Sequence, residues 1–239
     1  MDDKNTLINA VKRHGQGAVI MVEVPTEGYF GSNADSVRQL VRDGFEGVYV
    51  SFQRPYNNVV LLFQQQGIDT KKLVIVDAAS ACGNERPRHG SWLANQKHGF
   101  VTQATGRGVE GADSPLRSGT RDEAFSEPRP FGEKGKKTGL CVPVSSKMDV
   151  DEIVRAIYTS LAALKSRKRF VFIDSITTIA LYQPLSETLR FSEFLVRTVR
   201  QREGGVSTST IVFNVARDLA QKQFIRDVAL RADEVIAVK

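Results

Sequence analysis

Along the chain, short apolar runs are separated by stretches in which apolar residues recur every three or four positions. Phe170, Val171, Phe172 and Ile173 are apolar without a break and end on a single carboxylate, Asp174, followed by Ser175. A run with no polar alternation predicts a strand over 170–174 buried on both faces, inside a parallel sheet covered by helices. Residues 18–24, 47–52, 73–77, 140–144, 210–215 and 234–238 predict six more strands. Helical spacing marks 5–14, 33–42, 56–66, 149–165, 186–201 and 221–229, and Gly15, Gly44 and Gly67 stop the first three. The helix over 149–165 carries Val150, Ile153, Val154, Ile157, Leu161 and Leu164 on one face, with Ser146 and Asp149 offered as a capping box. Strands alternating with helices of this length imply repeated right-handed βαβ units. The expected fold is an α/β three-layer sandwich, a mostly parallel sheet with helices on both faces.

The alternation breaks between 78 and 139. That stretch holds ten of the nineteen glycines and four of the eight prolines, with little apolar periodicity. Such a composition cannot bury enough surface to offset its ordering entropy. The chain therefore reads as one domain over 1–239 carrying a low-complexity, disordered insertion over 80–139. Gly135-Lys136-Lys137-Thr138 has the look of a phosphate-binding loop, but no strand precedes it and no glycine stands five residues before Gly135.

Composition narrows the class. A chain of 239 residues with 41% apolar content supports a substantial core. Net charge is +6 and the isoelectric point near 9.4, a modest excess more typical of a solvated surface than of a nucleic-acid footprint. Cys82 and Cys141 lie far apart, and His14, His89 and His98 show no ligand spacing, so no metal site is expected. No apolar run reaches the roughly 18 residues that span a bilayer, and the N-terminus lacks a signal-peptide pattern. The expectation is a cytoplasmic protein without membrane contact. The basic run 165–169 is read as a solvated helix end favoured by the helix dipole.

GVYVSFQRPYNNVVLLFQQQGIDTKKLVIVDA, then FVFIDSITTIALY, then RADEVIAV, in that order, resemble the RecA-like ATPase fold of the KaiC type. The resemblance covers about residues 16–80 and 140–239 and lies closer to divergent relatives with an Arg-Pro-Tyr or Lys-Pro-Tyr turn after the second strand. It implies a RecA-like sandwich in which Asp174 and Ser175 hold the Walker B position, whose carboxylate orders the Mg²⁺ shell of a bound nucleotide. The residues it offers to a nucleotide are Gly28, Gly31, Ser32, Asn33, Asp174 and Ser175.

The departures from that pattern decide the functional expectation. A phosphate loop needs glycines, a lysine for the β and γ oxygens, and a hydroxyl for Mg²⁺. With Gly31 as second glycine, Thr26 stands for the first, Ser32 for the lysine and Asn33 for the hydroxyl residue. Glu27 adds a repulsion on the order of several kcal/mol where a triphosphate would sit. The resemblance also calls for a water-activating glutamate after the second strand, where this chain has Gln53 and Arg54. Arg54 is expected to pair with Glu27 or Asp174 and take the place of the missing lysine–phosphate contact, the alternative being a side chain that points into solvent and contributes almost nothing. No catalytic residue is assigned, and neither ATP nor Mg²⁺ is expected as a cofactor. The resulting expectation is a non-catalytic RecA/KaiC-like domain, a regulatory or signalling module that binds a protein partner or its own copies. The alternatives are a nucleotide-binding ATPase with an atypical loop and a nucleic-acid binder using the basic insertion, where Trp92 and Phe100 would stack on bases.

Overall fold

A computed structural model describes residues 6–82, 140–144, 149–200 and 209–238. It contains one sheet of seven strands: β1 (Val19–Val24), β2 (Glu46–Ser51), β3 (Leu73–Asp77), β4 (Leu140–Pro143), β5 (Arg169–Asp174), β6 (Ser209–Ala216) and β7 (Glu234–Ala237). Their spatial order is β4-β3-β2-β5-β6-β1-β7, and every ladder is parallel. The helices are α1 (Leu7–His14), α2 (Tyr29–Arg42), α3 (Tyr56–Gln65), α4 (Ala79–Cys82), α5 (Val150–Ala163), α6 (Ile176–Tyr182), α7 (Leu185–Arg200) and α8 (Lys222–Ala229). The protein is a three-layer α/β sandwich.

The pleat explains the two cores. Phe170 and Phe172 point to the face covered by α1, α2 and α3, where Leu7, Val37, Leu40 and Phe63 pack. Val171 and Ile173 point to the other, against Ile153 of α5, Ile179 of α6, Phe191 of α7 and Phe224 of α8. Burying each of these side chains contributes about 1.5–3 kcal/mol, which holds β5 between β2 and β6, away from either edge. Gly47 of β2 stands opposite Phe170, and a Cβ there would overlap the Phe170 ring. Glycine thus lets β2 pass under a phenylalanine.

Two boundaries differ from the sequence expectation in ways that matter. Helix α2 begins at Tyr29, four residues before the expected start at 33, so residues read as loop form a helical turn. The stretch Ile176–Tyr182, with no element assigned, is α6, capped by the Ser175 hydroxyl. For α5 the N-cap is Asp149, which accepts from the Asp151 N–H at 2.8 Å. Ser146 lies outside the described residues, as does the insertion from 83 to 139, including Gly135–Thr138; α4 occupies the first residues of the stretch read as insertion.

The topology selects one place on the sheet. From β2 the chain leaves through α3 toward β3 on one face; from β5 it leaves through α6 and α7 toward β6 on the other. Adjacent strands whose connections part in this way open a crevice at their carboxyl ends, where ligands of open α/β sheets bind. Ser51 and Asp174 are register partners at that point.

Candidate functional site

Asp174 ends β5 fully buried. Three donors converge on its carboxylate. On Oδ1, the Tyr29 hydroxyl donates at 2.8 Å and the Asn33 amide at 2.7 Å. The Tyr49 hydroxyl donates to Oδ2. Asn33 in turn accepts from the Asn214 side-chain amide of β6. Tyr29 and Asn33 sit four residues apart on α2, so one face of the helix delivers both groups. Tyr49 alternates inward on β2, with its ring stacked on Phe172 at 5.4 Å between centroids.

Burial pushes the Asp174 carboxyl up from 3.8 to about 6, against the pull of the Tyr49 and Tyr29 hydroxyls, Arg54 and Asn33. The same burial, with the Asp174 charge beside them, holds the Tyr29 and Tyr49 phenols well above their ordinary range. Both remain neutral donors at physiological pH. The Asp174–Ser175 peptide is cis.

The loop between β1 and α2 has a backbone donor engaged internally as well. It is only Pro25-Thr26-Glu27-Gly28 long, since Gly28, with φ +75°, is already the N-cap of α2. Glycine is needed there because the left-handed region is costly for other residues. The Thr26 N–H donates to Asp218 Oδ2 at 2.8 Å. A backbone donor that a phosphate would need is thereby spent on a carboxylate, and Glu27 stands exposed beside it. Among the described residues no lysine enters this site in place of the one absent at Ser32.

On the β2 side, the Ser51 hydroxyl donates to the Arg54 carbonyl at 2.7 Å and accepts from the Arg54 N–H at 3.2 Å. That turn aims Gln53 inward. Its amide donates to the Thr178 hydroxyl at 3.0 Å and the Ser175 hydroxyl at 3.3 Å. Arg54 lies over the Phe30 ring, 3.5 Å from its centroid. This corrects the ion pair expected of it: among the described residues Arg54 makes no salt bridge to Glu27 or Asp174, because Tyr29, Tyr49 and Asn33 already occupy the carboxylate. Its charge still acts on Asp174 through space. Asp77, at the end of β3, accepts from the Tyr56 N–H at 2.9 Å and from Ser80, so it caps the starts of α3 and α4.

Of the six residues offered to a nucleotide, three are brought together. Asn33, Asp174 and Ser175 share the buried crevice, whereas Gly28, Gly31 and Ser32 line a separate cleft on the outer side of α2. The residues that complete the crevice, Tyr29, Tyr49, Asn214 and Thr178, were not singled out from sequence. One signal for them exists: a tyrosine inside an apolar run, as in GVYVSF, needs a buried partner for its hydroxyl. The basic insertion, with Trp92, Phe100, His89 and His98, lies outside the described residues. No helix among the described residues is long and apolar enough to cross a membrane.

No family model matches the chain. No curated protein matches it in sequence. Among solved structures, an uncharacterized protein from Pyrococcus horikoshii, in complex with an unknown peptide, aligns over 96% of this chain and 82% of its own. The TM-score is 0.52 and the identity 14%. At that identity the likeness concerns the fold alone.

Proposed function

We propose that this protein is a RecA/KaiC-like domain that has given up nucleotide chemistry and serves as a binding module. One observation carries this reading: both oxygens of Asp174, the only carboxylate at the end of β5, accept hydrogen bonds from Tyr29, Tyr49 and Asn33. A Walker B carboxylate must face the water shell of Mg²⁺, and this one faces two phenols and an amide. The short loop, with its Thr26 N–H on Asp218, and Gln53 tied to Ser175 and Thr178, point the same way. The Pyrococcus protein of similar fold was crystallised with a peptide, the kind of ligand such a module takes.

Isothermal titration and thermal melting with Mg-ATP, beside a turnover assay, test the reading. A ligand at 100 times its dissociation constant would add about 2.7 kcal/mol of stability. The expected result is no heat of binding, no shift in Tm and no hydrolysis. Stabilisation by Mg-ATP that disappears in Asp174→Asn would overturn it.

A further inference from the structure

The two edges of the sheet are not alike. Edge strands expose unpaired backbone groups, and proteins guard them with proline, charge or cover. Strand β4 is guarded, ending on the exposed Pro143. Among the described residues strand β7 pairs only with β1, and its sequence, Glu234-Val235-Ile236-Ala237, carries no proline or lysine. Its single charge, Glu234, is engaged by Arg13 and His14 of α1.

Beside this open edge runs a cleft of about 580 Å³. Leu7, Val22, Ile236 and Val238 supply its apolar surface. One wall is a face of α2 made of small and polar residues, Gly28, Gly31, Ser32, Asp35, Ser36 and Gln39. Gln39 Oε1 is buried there without a partner among the described residues. Arg42 is exposed at the far end, while Arg38 pairs with Asp35. From Gly28 to Arg42 the helix rises about 20 Å, the length of about six extended residues. On the opposite pleat face, Val235 is 41% exposed, and Leu230, leading into β7, is 83% exposed.

We infer that the β7 edge and this cleft are a docking site for an extended peptide segment of a partner protein, added as an eighth strand. The occupant has alternating apolar residues and an acidic flank. Its backbone completes the unpaired side of β7. Alternate side chains enter the cleft between β7 and α2, and the others cover Val235. Strand addition draws affinity from main-chain hydrogen bonds and specificity from pockets for alternate side chains; the acidic flank meets Arg42. The inference rests on the reading of the chain as a binding module, but none of its residues belongs to the Asp174 crevice.

The probe is a fluorescein-labelled synthetic peptide with a Val-Thr-Ile-Thr-Val-Thr core flanked by aspartates, followed by anisotropy on the full chain. Binding should saturate and slow amide exchange over 234–238. Gly31→Trp should bind about tenfold more weakly or worse. A Cβ at Gly31 meets nothing within 4 Å, so the variant should melt like the parent with its cleft filled. N-methylation of alternate peptide residues should weaken binding to the same degree. Arg42→Glu should weaken the aspartate-flanked peptide and favour a lysine-flanked one. Binding indifferent to Gly31→Trp and to N-methylation overturns the inference, as does a monomer with freely exchanging 234–238 amides that binds nothing. A dimer protected at those amides would assign the edge to a second copy instead. A chain that binds both the peptide and Mg-ATP would leave this inference standing and remove the reading it rests on.

Discussion

Asp174 makes the stability of the protein depend on pH. Its folded pKa lies at about 6, above the ordinary 3.8, so burial favours the protonated form. The stability it lends is complete below pH 3.8 and is lost as pH rises through 6. With one pKa unit equal to about 1.4 kcal/mol, taking the protein from pH 7 to pH 5 should strengthen it by on the order of 1 kcal/mol through this group alone. Urea unfolding of wild type and Asp174→Asn across that range checks it. The difference between the two should change with pH by this amount, and parallel curves would show that Asp174 does not titrate there. Arg54 tunes the same group. Arg54→Leu should move the transition to higher pH, because the guanidinium holds the carboxyl down, and should cost about 1 kcal/mol of contact with Phe30. An unmoved midpoint would mean that Arg54 and Asp174 do not interact.

Elements followed the sequence wherever burial alone decided them. Strand β5 was legible because four apolar residues in a row fit only a strand covered on both faces, and α5 because six apolar residues share one side. Helix α2 starts earlier than its apolar spacing predicts, because Gly28 and Gly31 have the composition of a loop. In the structure Gly28 is a left-handed N-cap and Gly31 a helical residue facing the cleft. Composition does not separate those roles; the buried hydroxyl of Tyr29, which has a partner only if the helix has already begun, does. Gly47 offers a test at this scale. Gly47→Ala forces the Phe170 ring off its position in the β2–β5 ladder, an overpacking worth about 1–3 kcal/mol. Its urea midpoint should fall accordingly with the slope unchanged, and a midpoint equal to wild type would show that the ring yields freely.

At the scale of the whole molecule, the sheet and its two helical layers were legible because apolar periodicity is a property of each segment taken separately. The candidate site was legible only in part, since it is a meeting of segments. Asp174, Asn33, Tyr49 and Asn214 come from β5, α2, β2 and β6, and no spacing along the chain encodes that meeting. The edge cleft is harder still to read, being defined by side chains that are small, as at Gly31 and Ser32.

The position of Tyr29 also determines how the chain would respond to an attempt to build nucleotide binding into it. Ser32 faces the cleft outside α2, so Ser32→Lys places its ammonium on the far side of the helix from Asp174. Mg-ATP should bind this variant no better than wild type, as titration will show; a gain in affinity would mean that α2 can rewind its first turn. Clearing the carboxylate requires removing Tyr29 together with Tyr49 or Asn33, and each removal sacrifices a buried hydrogen bond before any phosphate is there to replace it. Of these changes the first is neutral in affinity and the others cost stability, so none alone opens the carboxylate to a phosphate-bound cation.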